Sequence, residues 1–208
     1  MSEEGKIQFR NPTVLLVEHG STEFSAQGDK DRIHGTKFDL PLTKEGRRQA
    51  ERAAEILADY DIATLEHSPM LRATQTAKII SQATGVKAVP NVKLLPWDSG
   101  FVSGMTHGAA ADIIEYYVRN PHKVIRDGKA YGGWYDVYSE ALREKMKQAE
   151  SMPGQAYVLG VHSSEVSTAP AVIKGDPADF LDEQLPGSGQ IAALEKRGGR
   201  WRFIKKFA

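Results

Sequence analysis

Two histidines in this chain, His19 and His162, each stand directly after a short apolar run rich in β-branched residues. An imidazole can act as a nucleophile or a proton donor near neutral pH, because its ordinary pKa is about 6.5. The runs, residues 13–17 and 156–161, are typical of strands buried on both faces of a parallel sheet. Ligands of open α/β sheets bind beyond the carboxyl ends of such strands. We therefore expect both histidines to face one cleft.

Arg72 is the third residue whose position points to chemistry. It lies near the start of a predicted helix, for which we expect Ser68 as the N-cap, Pro69 as the first helical residue and Gly85 as the stop. Free backbone N–H groups and the helix dipole favour an anion at such a start. Because a planar guanidinium matches the geometry of phosphate, Arg72 predicts a phosphate contact.

The elements that must position these residues alternate between helix and strand patterns. Thr43 is a predicted N-cap, followed by residues at helical spacing that form one buried face: Ala50, Ala53, Ala54 and Leu57. Further strands are expected at 62–65, at an edge over 86–95, and in a hairpin over 190–195 and 201–207; further helices are expected at 109–118 and 134–149. The polar stretch 21–41 reads as a long loop bordering the site. This order predicts an α/β fold, a three-layer sandwich whose mostly parallel central sheet carries helices on both faces.

Composition narrows the function classes. The 208 residues contain no recognisable linker, which favours a single domain over residues 1–208. Lys+Arg and Asp+Glu both number 27, so no long-range field favours nucleic acid or an anionic membrane. There is no cysteine, signal peptide pattern or membrane-spanning apolar run, and we expect a cytoplasmic protein. The sequence does not determine the oligomeric state.

Several strings of residues occur in an order that resembles the histidine phosphatase superfamily, the phosphoglycerate-mutase-like proteins. A strand ends in His-Gly with Ser and Thr next, and a string Ser-Pro-Met-Leu-Arg-Ala-Thr-Gln-Thr-Ala follows later in the chain. The quoted segments are His19-Gly20-Ser21-Thr22, Asp31-Arg32-Ile33, residues 40–46, 68–77 and 158–162, and the turn 185–189. The string at 68–77 is the most specific, and the likeness covers most of the chain.

The resemblance implies a two-step phosphoryl transfer. His19 would take the phosphoryl group as a phosphohistidine, which water or a second acceptor discharges. Arg72 and His162 would stabilise the charge on the transferring oxygens. The expected activity is that of a phosphomonoesterase acting on a small phosphorylated metabolite or phosphopeptide, without cofactor or metal. Ser21 and the residue at position 18 would lie at the phosphate.

Position 18 departs from the family pattern, since the family has Arg-His-Gly and this chain has Glu18 before His19. Two like charges ~4 Å apart at an effective dielectric near 20 repel by roughly 4 kcal/mol, which would slow turnover by orders of magnitude. Two arrangements avoid the repulsion. Glu18 could pair with a cation, for which Lys129 is the candidate, or burial could keep it protonated as a hydrogen-bond donor.

Two further roles stay open on sequence grounds. Relatives usually place a glutamate where this chain has Pro96, so Asp98 is the nearest substitute for the acid that protonates the leaving alcohol. Asp98 could equally be a turn-forming residue. Arg32 could touch the substrate or brace the long loop.

Three hypotheses on function follow. The first is a phosphatase, with a mutase less favoured. The second, supported by Glu18, is a pseudophosphatase that binds a phosphorylated ligand or partner without turnover. The third is a metal site built from carboxylate and imidazole groups, which no helical ligand spacing supports. Its members would be Glu18, His19, Asp98 and His162.

Overall fold

The structure of the protein is a computed structural model. It describes residues 5–25, 32–118, 120, 134–175 and 187–207. Its strands are β1 (Thr13–Glu18), β2 (Ile62–His67), β3 (Ala88–Pro90), β4 (Ala156–Val161), β5 (Ile191–Arg197) and β6 (Arg200–Ile204). Its α-helices are α1 (Lys44–Ala58), α2 (Leu71–Thr84), α3 (Ala111–Val118), α4 (Trp134–Ala149) and α5 (Ser163–Lys174). Three short 3₁₀ turns lie at Val92–Leu94, Gly100–Val102 and Gly108–Ala110.

One six-stranded sheet runs through the described chain in the order β3-β2-β4-β1-β5-β6. Strands β1, β2, β3 and β4 are mutually parallel, whereas β5 runs antiparallel to β1 and β6 antiparallel to β5. Helical connections make the parallel pairs possible, and a tight turn joins the final antiparallel pair. The prediction of an α/β fold with a mostly parallel sheet is confirmed.

Each face of the sheet packs against its own hydrophobic cluster. Along β1, Val14 and Leu16 belong to the cluster that includes residues of α4 and α5, while Leu15 and Val17 belong to the one that includes residues of α1 and α2. Successive residues of a strand point to opposite faces, and here both faces are covered. This explains why the run Thr13–Glu18 is buried at every position.

Helix α2 begins later than the sequence predicted. Ser68 and Pro69 precede the helix, Met70 is its extended N-cap, and Leu71 is its first residue. The predicted N-cap at Ser68 is therefore wrong by two positions. The reason is tertiary, because Asp39 from the long loop accepts the Leu71 backbone N–H at 2.6 Å and satisfies a donor that a local cap would have taken.

Other boundaries differ less. Thr43 caps α1 as predicted, since its hydroxyl accepts the Gly46 N–H at 2.9 Å. The edge strand predicted over 86–95 is only three residues long as β3, and the 3₁₀ turn at 92–94 replaces its second half. Within the described residues no helix is long and apolar enough to span a bilayer.

Candidate active site

The site lies where β1 and β4 end side by side. These strands are neighbours in parallel register and end with Glu18 opposite Val161. The residue that follows each strand is a histidine. The backbone N–H of His19 donates to the carbonyl of Val161 at 3.1 Å. The ring centroids of His19 and His162 are 5.0 Å apart. The two imidazoles therefore lie side by side, as expected from the sequence, and their facing a substrate cleft stays a prediction.

His19 is held in one tautomer. Its Nδ1 lies 2.9 Å from the carbonyl oxygen of Gly20, to which it donates. Its Nε2 then carries the lone pair, and it accepts the Nε–H of Arg72 at 3.1 Å. Burial and the nearby Arg72 charge hold the pKa of His19 well below its usual range. The side chain is therefore a neutral imidazole whose Nε2 faces the cleft as a potential nucleophile.

Arg72 is buried and engaged through three of its N–H groups. Besides His19, its NH1 donates to the Phe38 carbonyl at 3.1 Å and its NH2 to the Gly35 carbonyl at 3.2 Å. Burial lowers the pKa of Arg72 to about 10, which still leaves it cationic at neutral pH. Because a guanidinium has five N–H donors, the terminal nitrogens keep donors for an anionic ligand.

His162 differs from His19 and Arg72 in that its side chain forms no hydrogen bond with the described residues. It is 3% exposed, and neither ring nitrogen has a hydrogen-bond partner among the described residues. Burial first, and the charge of Arg72 second, hold the pKa of His162 well below its usual range. A buried polar group without a partner is costly, which makes His162 a candidate for contact with a ligand.

The backbone around Gly20 passes unusually close to helix α1. A Cβ atom at Gly20 would lie 2.0 Å from the carbonyl oxygen of Gly46, and a Cβ at Gly46 would lie 2.0 Å from that of Ser21. Only glycine fits at such a crossing. Ser21 is buried here, its N–H donating to Gln49 at 2.7 Å and its carbonyl accepting the Thr43 N–H at 2.9 Å.

Asp98 and Arg32, both predicted from sequence, are exposed. The Asp98 carboxylate accepts the Thr36 hydroxyl at 3.2 Å and the Gly100 N–H at 3.2 Å. Arg32 donates to the Gly104 carbonyl at 2.7 Å and so braces the loop. No recorded contact joins either side chain to the two imidazoles, and their catalytic and substrate-binding roles stay predictions.

Glu18 is 7% exposed, and its Oε2 has no hydrogen-bond partner among the described residues. A second buried carboxylate, Glu165, lies at the start of α5, where its Oε2 accepts the His162 backbone N–H at 3.1 Å and the Ser164 hydroxyl at 3.0 Å. Burial first, and the Glu165 charge second, raise the pKa of Glu18 to about 8. Lys129, the predicted partner of Glu18, lies outside the described residues.

Sequence reasoning missed Glu165 and His34. The His34 ring centroid is 5.9 Å from that of His19, and its Nε2 is hydrogen-bonded to the Thr22 hydroxyl. Burial and Arg72 lower the pKa of His34 to about 3, so it is neutral. Its place depends on the fold of the loop rather than on any motif. Glu165 carried one local signal, three residues after a strand-end His162, which is the spacing of a capping box.

The hypothesis of a metal site lacks support in the described part of the chain. There, no three His, Asp or Glu side chains lie close enough together to coordinate an ion. Asp98 in particular is engaged by Thr36 and Gly100 in the outer loop. The groups that lie together are the neutral imidazole of His19, the guanidinium of Arg72, and the imidazole of His162, whose ring nitrogens have no partner among the described residues. That set suits a tetrahedral oxyanion.

The chain is similar in sequence and in fold to several known proteins. The chain is 28% identical over 167 residues to the probable phosphoglycerate mutase GpmB of Klebsiella pneumoniae strain 342, covering 79% of this chain and 76% of that protein. It is 27% identical over 143 residues to phosphoserine phosphatase 1 of Hydrogenobacter thermophilus, covering 65% and 64%. The native structure of a mycobacterial glucosyl-3-phosphoglycerate phosphatase superposes with a TM-score of 0.77 at 22% identity, over 94% of this chain and 99% of that one.

The family profile described as the histidine phosphatase superfamily (branch 1) matches residues 14–206, nearly the whole chain. The matched span includes His19, Arg72 and His162, which the fold brings together. The protein therefore belongs to the histidine phosphatase superfamily.

Proposed function

We propose that the protein is a phosphomonoesterase that forms a phosphohistidine at His19. The observation that carries this proposal is the state of His19, a neutral ring whose Nδ1–H is anchored on Gly20 and whose Nε2 lone pair points at Arg72 beside His162. A nucleophile needs that lone pair, and a transferring phosphoryl group needs cationic donors around it.

The reaction runs in two displacements. His19 Nε2 attacks phosphorus, the P–O bond to the alcohol breaks, and the leaving oxygen takes a proton. Water then attacks the phosphohistidine and gives a proton to the group that had protonated the alcohol, the P–N bond breaks, and phosphate leaves. The Arg72 Nε–H, which rests on Nε2 at 3.1 Å, must turn to a phosphoryl oxygen before attack. His162 contacts a second oxygen, Ser21 and Arg32 stay predicted phosphate contacts, and Asp98 stays the predicted acid for the leaving group.

The substrate class is a small phosphorylated metabolite or a phosphopeptide. Support comes from the names of the relatives, which refer to phosphoglycerate, phosphoserine and glucosyl-3-phosphoglycerate. Each of these is a phosphate monoester of a small molecule. The cleft would bind the phosphate group that they share.

The test is turnover of an aryl phosphate together with trapping of the intermediate in alkali, since a P–N bond survives base and is lost in acid. We expect steady turnover and a trapped phosphoprotein in the wild type, and neither in His19→Ala. The matched control is His67→Ala, because His67 also ends a parallel strand, is equally buried, and also donates from Nδ1 to the next carbonyl, at 2.8 Å. Equal loss in both variants would contradict a nucleophilic role for His19.

One observation favours a second function, a pseudophosphatase that binds a phosphorylated ligand without turning it over. By the family resemblance Glu18 stands where relatives have arginine, and it places a carboxyl group beside the cleft. Glu18→Arg separates the two functions. A wild type that binds phosphate without turnover, together with activity in Glu18→Arg, would support the binding protein, whereas turnover in the wild type supports the enzyme.

A further inference from the structure

Glu18 is a buried residue at the end of the sheet where the two histidines follow their strands. It is the last residue of β1, directly before His19, and it faces Val161 of β4, directly before His162. By strand alternation its side chain shares a face with Leu16, the face on which α4 and α5 pack. That side also holds Glu165, which is fully buried in the first turn of α5.

The two buried carboxyl groups are not equivalent. Glu165 accepts two hydrogen bonds on Oε2, one from the His162 backbone and one from Ser164, which stabilises its ionised form. Glu18 has a buried Oε2 with no partner. Among the described residues no Lys or Arg forms an ion pair with Glu18. An ionised carboxylate in that position would face both a like charge and the loss of its hydration.

We propose that Glu18 works as a neutral carboxylic acid whose O–H donates to an oxygen of the bound phosphoryl group, while the ionised Glu165 behind it keeps the proton in place. This rests on the proposed phosphate site and goes further, since it assigns Glu18 a protonation state, a donor role toward the ligand, and Glu165 as the group that maintains that state. A protonated carboxyl group adds a donor to the cleft without adding a negative charge. The phosphate therefore meets Arg72, two imidazoles and this acid.

The electrostatic surroundings agree with this assignment. The pKa of Glu18 is raised to about 8 by burial and by Glu165, so the acid form predominates at neutral pH. Tyr138 on α4 and Arg72 on α2 are titratable groups that interact with Glu165, and His162 follows the neighbouring strand β4. Tyr138 and His162 are held neutral, because burial raises the pKa of the phenol and lowers that of the imidazole. Glu165 also acts on Arg72, raising its pKa against the effect of burial.

The test is inorganic phosphate binding measured by calorimetry as a function of pH, in the wild type and in Glu18→Gln. Glutamine keeps the shape and a donor but cannot ionise. We expect similar affinities near pH 7 and a wild-type affinity about tenfold below that of Glu18→Gln near pH 9, one unit above the pKa. Phosphate itself and Arg72 titrate in both proteins, so their effects cancel in the ratio of the wild-type affinity to that of Glu18→Gln. Binding near pH 9 should also take up a proton in the wild type and none through Glu18 in the variant.

Two more variants sharpen the result. Glu165→Gln removes the like charge and should move the alkaline loss of affinity to lower pH, which a purely structural Glu165 would not do. Lys129→Ala tests the ion-pair alternative. If Lys129 neutralised Glu18, this variant would lose phosphate affinity already near pH 7, and the neutral-acid proposal would be wrong.

The failures of the two proposals are distinguishable. Equal pH profiles for the wild type and Glu18→Gln, with phosphate still bound, would overturn the role of Glu18 and leave the phosphate site intact. No phosphate binding at any pH in either protein would overturn the proposed function itself.

Discussion

His19 illustrates how much of a catalytic side chain's state is set by a few contacts. The residue type permits several charges and tautomers, and the Gly20 carbonyl and the Arg72 Nε–H select one of them. His34 shows the opposite case, a histidine with no sequence signal whose ring lies close to the cleft because of its loop. Residue type predicted the candidates, and the surrounding contacts determined their states.

The raised pKa of Glu18 has a consequence for stability. An acid whose folded pKa lies near 8 and whose ordinary value is 4.5 stays protonated in the folded protein while the unfolded chain ionises. The folded state then binds more protons, so wild-type stability should fall as pH rises between these values, by about 1.4 kcal/mol per pH unit from this group. Glu18→Gln should lack this slope. Chemical unfolding of both proteins from about pH 5 to pH 9 measures it.

The control for this prediction is Glu51→Gln, on the exposed face of α1. This variant replaces an exposed glutamate instead of a buried one. The pH dependence of its free energy of unfolding should match that of the wild type. Parallel stability curves for the wild type and Glu18→Gln over the whole range would contradict a protonated Glu18.

At the scale of elements, the site depends on neighbouring parallel strands. Sequence predicted that β1 and β4 are each followed by a histidine, and the sheet order makes the two strands adjacent in register. Local signals located the elements well, as the Thr43 cap of α1 and the Gly85 end of α2 show. They failed at the start of α2, where Asp39 is far along the chain from Leu71 and no local pattern reports the contact.

The loop after β1 crosses α1 so closely at Gly20 that we expect any side chain there to destabilise the protein. Gly20→Ala places a Cβ 2.0 Å from the Gly46 backbone oxygen, which cannot move as a flexible side chain would. We expect a loss of about 1–3 kcal/mol in the free energy of unfolding and weaker phosphate binding, because the shift displaces His19. Denaturant titration and calorimetry measure the two effects.

Gly108→Ala is the matched control, since nothing lies within 4 Å of its added Cβ. Its unfolding free energy should stay within about 0.5 kcal/mol of the wild type. If the two variants lost the same stability, the close approach at Gly20 would not be what constrains the loop.

At the scale of the whole molecule, a sheet covered on both faces holds the site at the carboxyl ends of its two central strands. The clusters on its two faces meet the requirement of a layered α/β fold. The formal charge of zero means that the cleft, rather than a global field, must attract an anion. Ligand binding should therefore appear as a local interaction that stabilises the folded chain.

Inorganic phosphate at about 100 times its dissociation constant should stabilise the fold by about 2.7 kcal/mol. For a chain of this size that is a rise of roughly 5–10 °C in Tm. Arg72→Lys should lose most of the rise, because lysine has neither the Nε–H that meets His19 nor the fork of donors. Thermal unfolding near pH 7 measures this rise in Tm for both proteins, with sodium chloride at matched ionic strength as the control salt. An equal phosphate-dependent rise in both proteins would place the anion elsewhere.

The sequence by itself determined the order of strands and helices, the α/β class, the family, and His19, Arg72 and His162 as the residues to examine. These follow from local patterns, since periodicity, capping residues and short strings are properties of neighbouring residues. Only the tertiary structure decided that the two imidazoles lie 5.0 Å apart, that Arg72 meets Nε2 of His19, and that Glu165 is close enough to Glu18 to raise its pKa. Those relations join residues far apart in the chain, and burial and Coulomb interactions arise only when packing removes water around them.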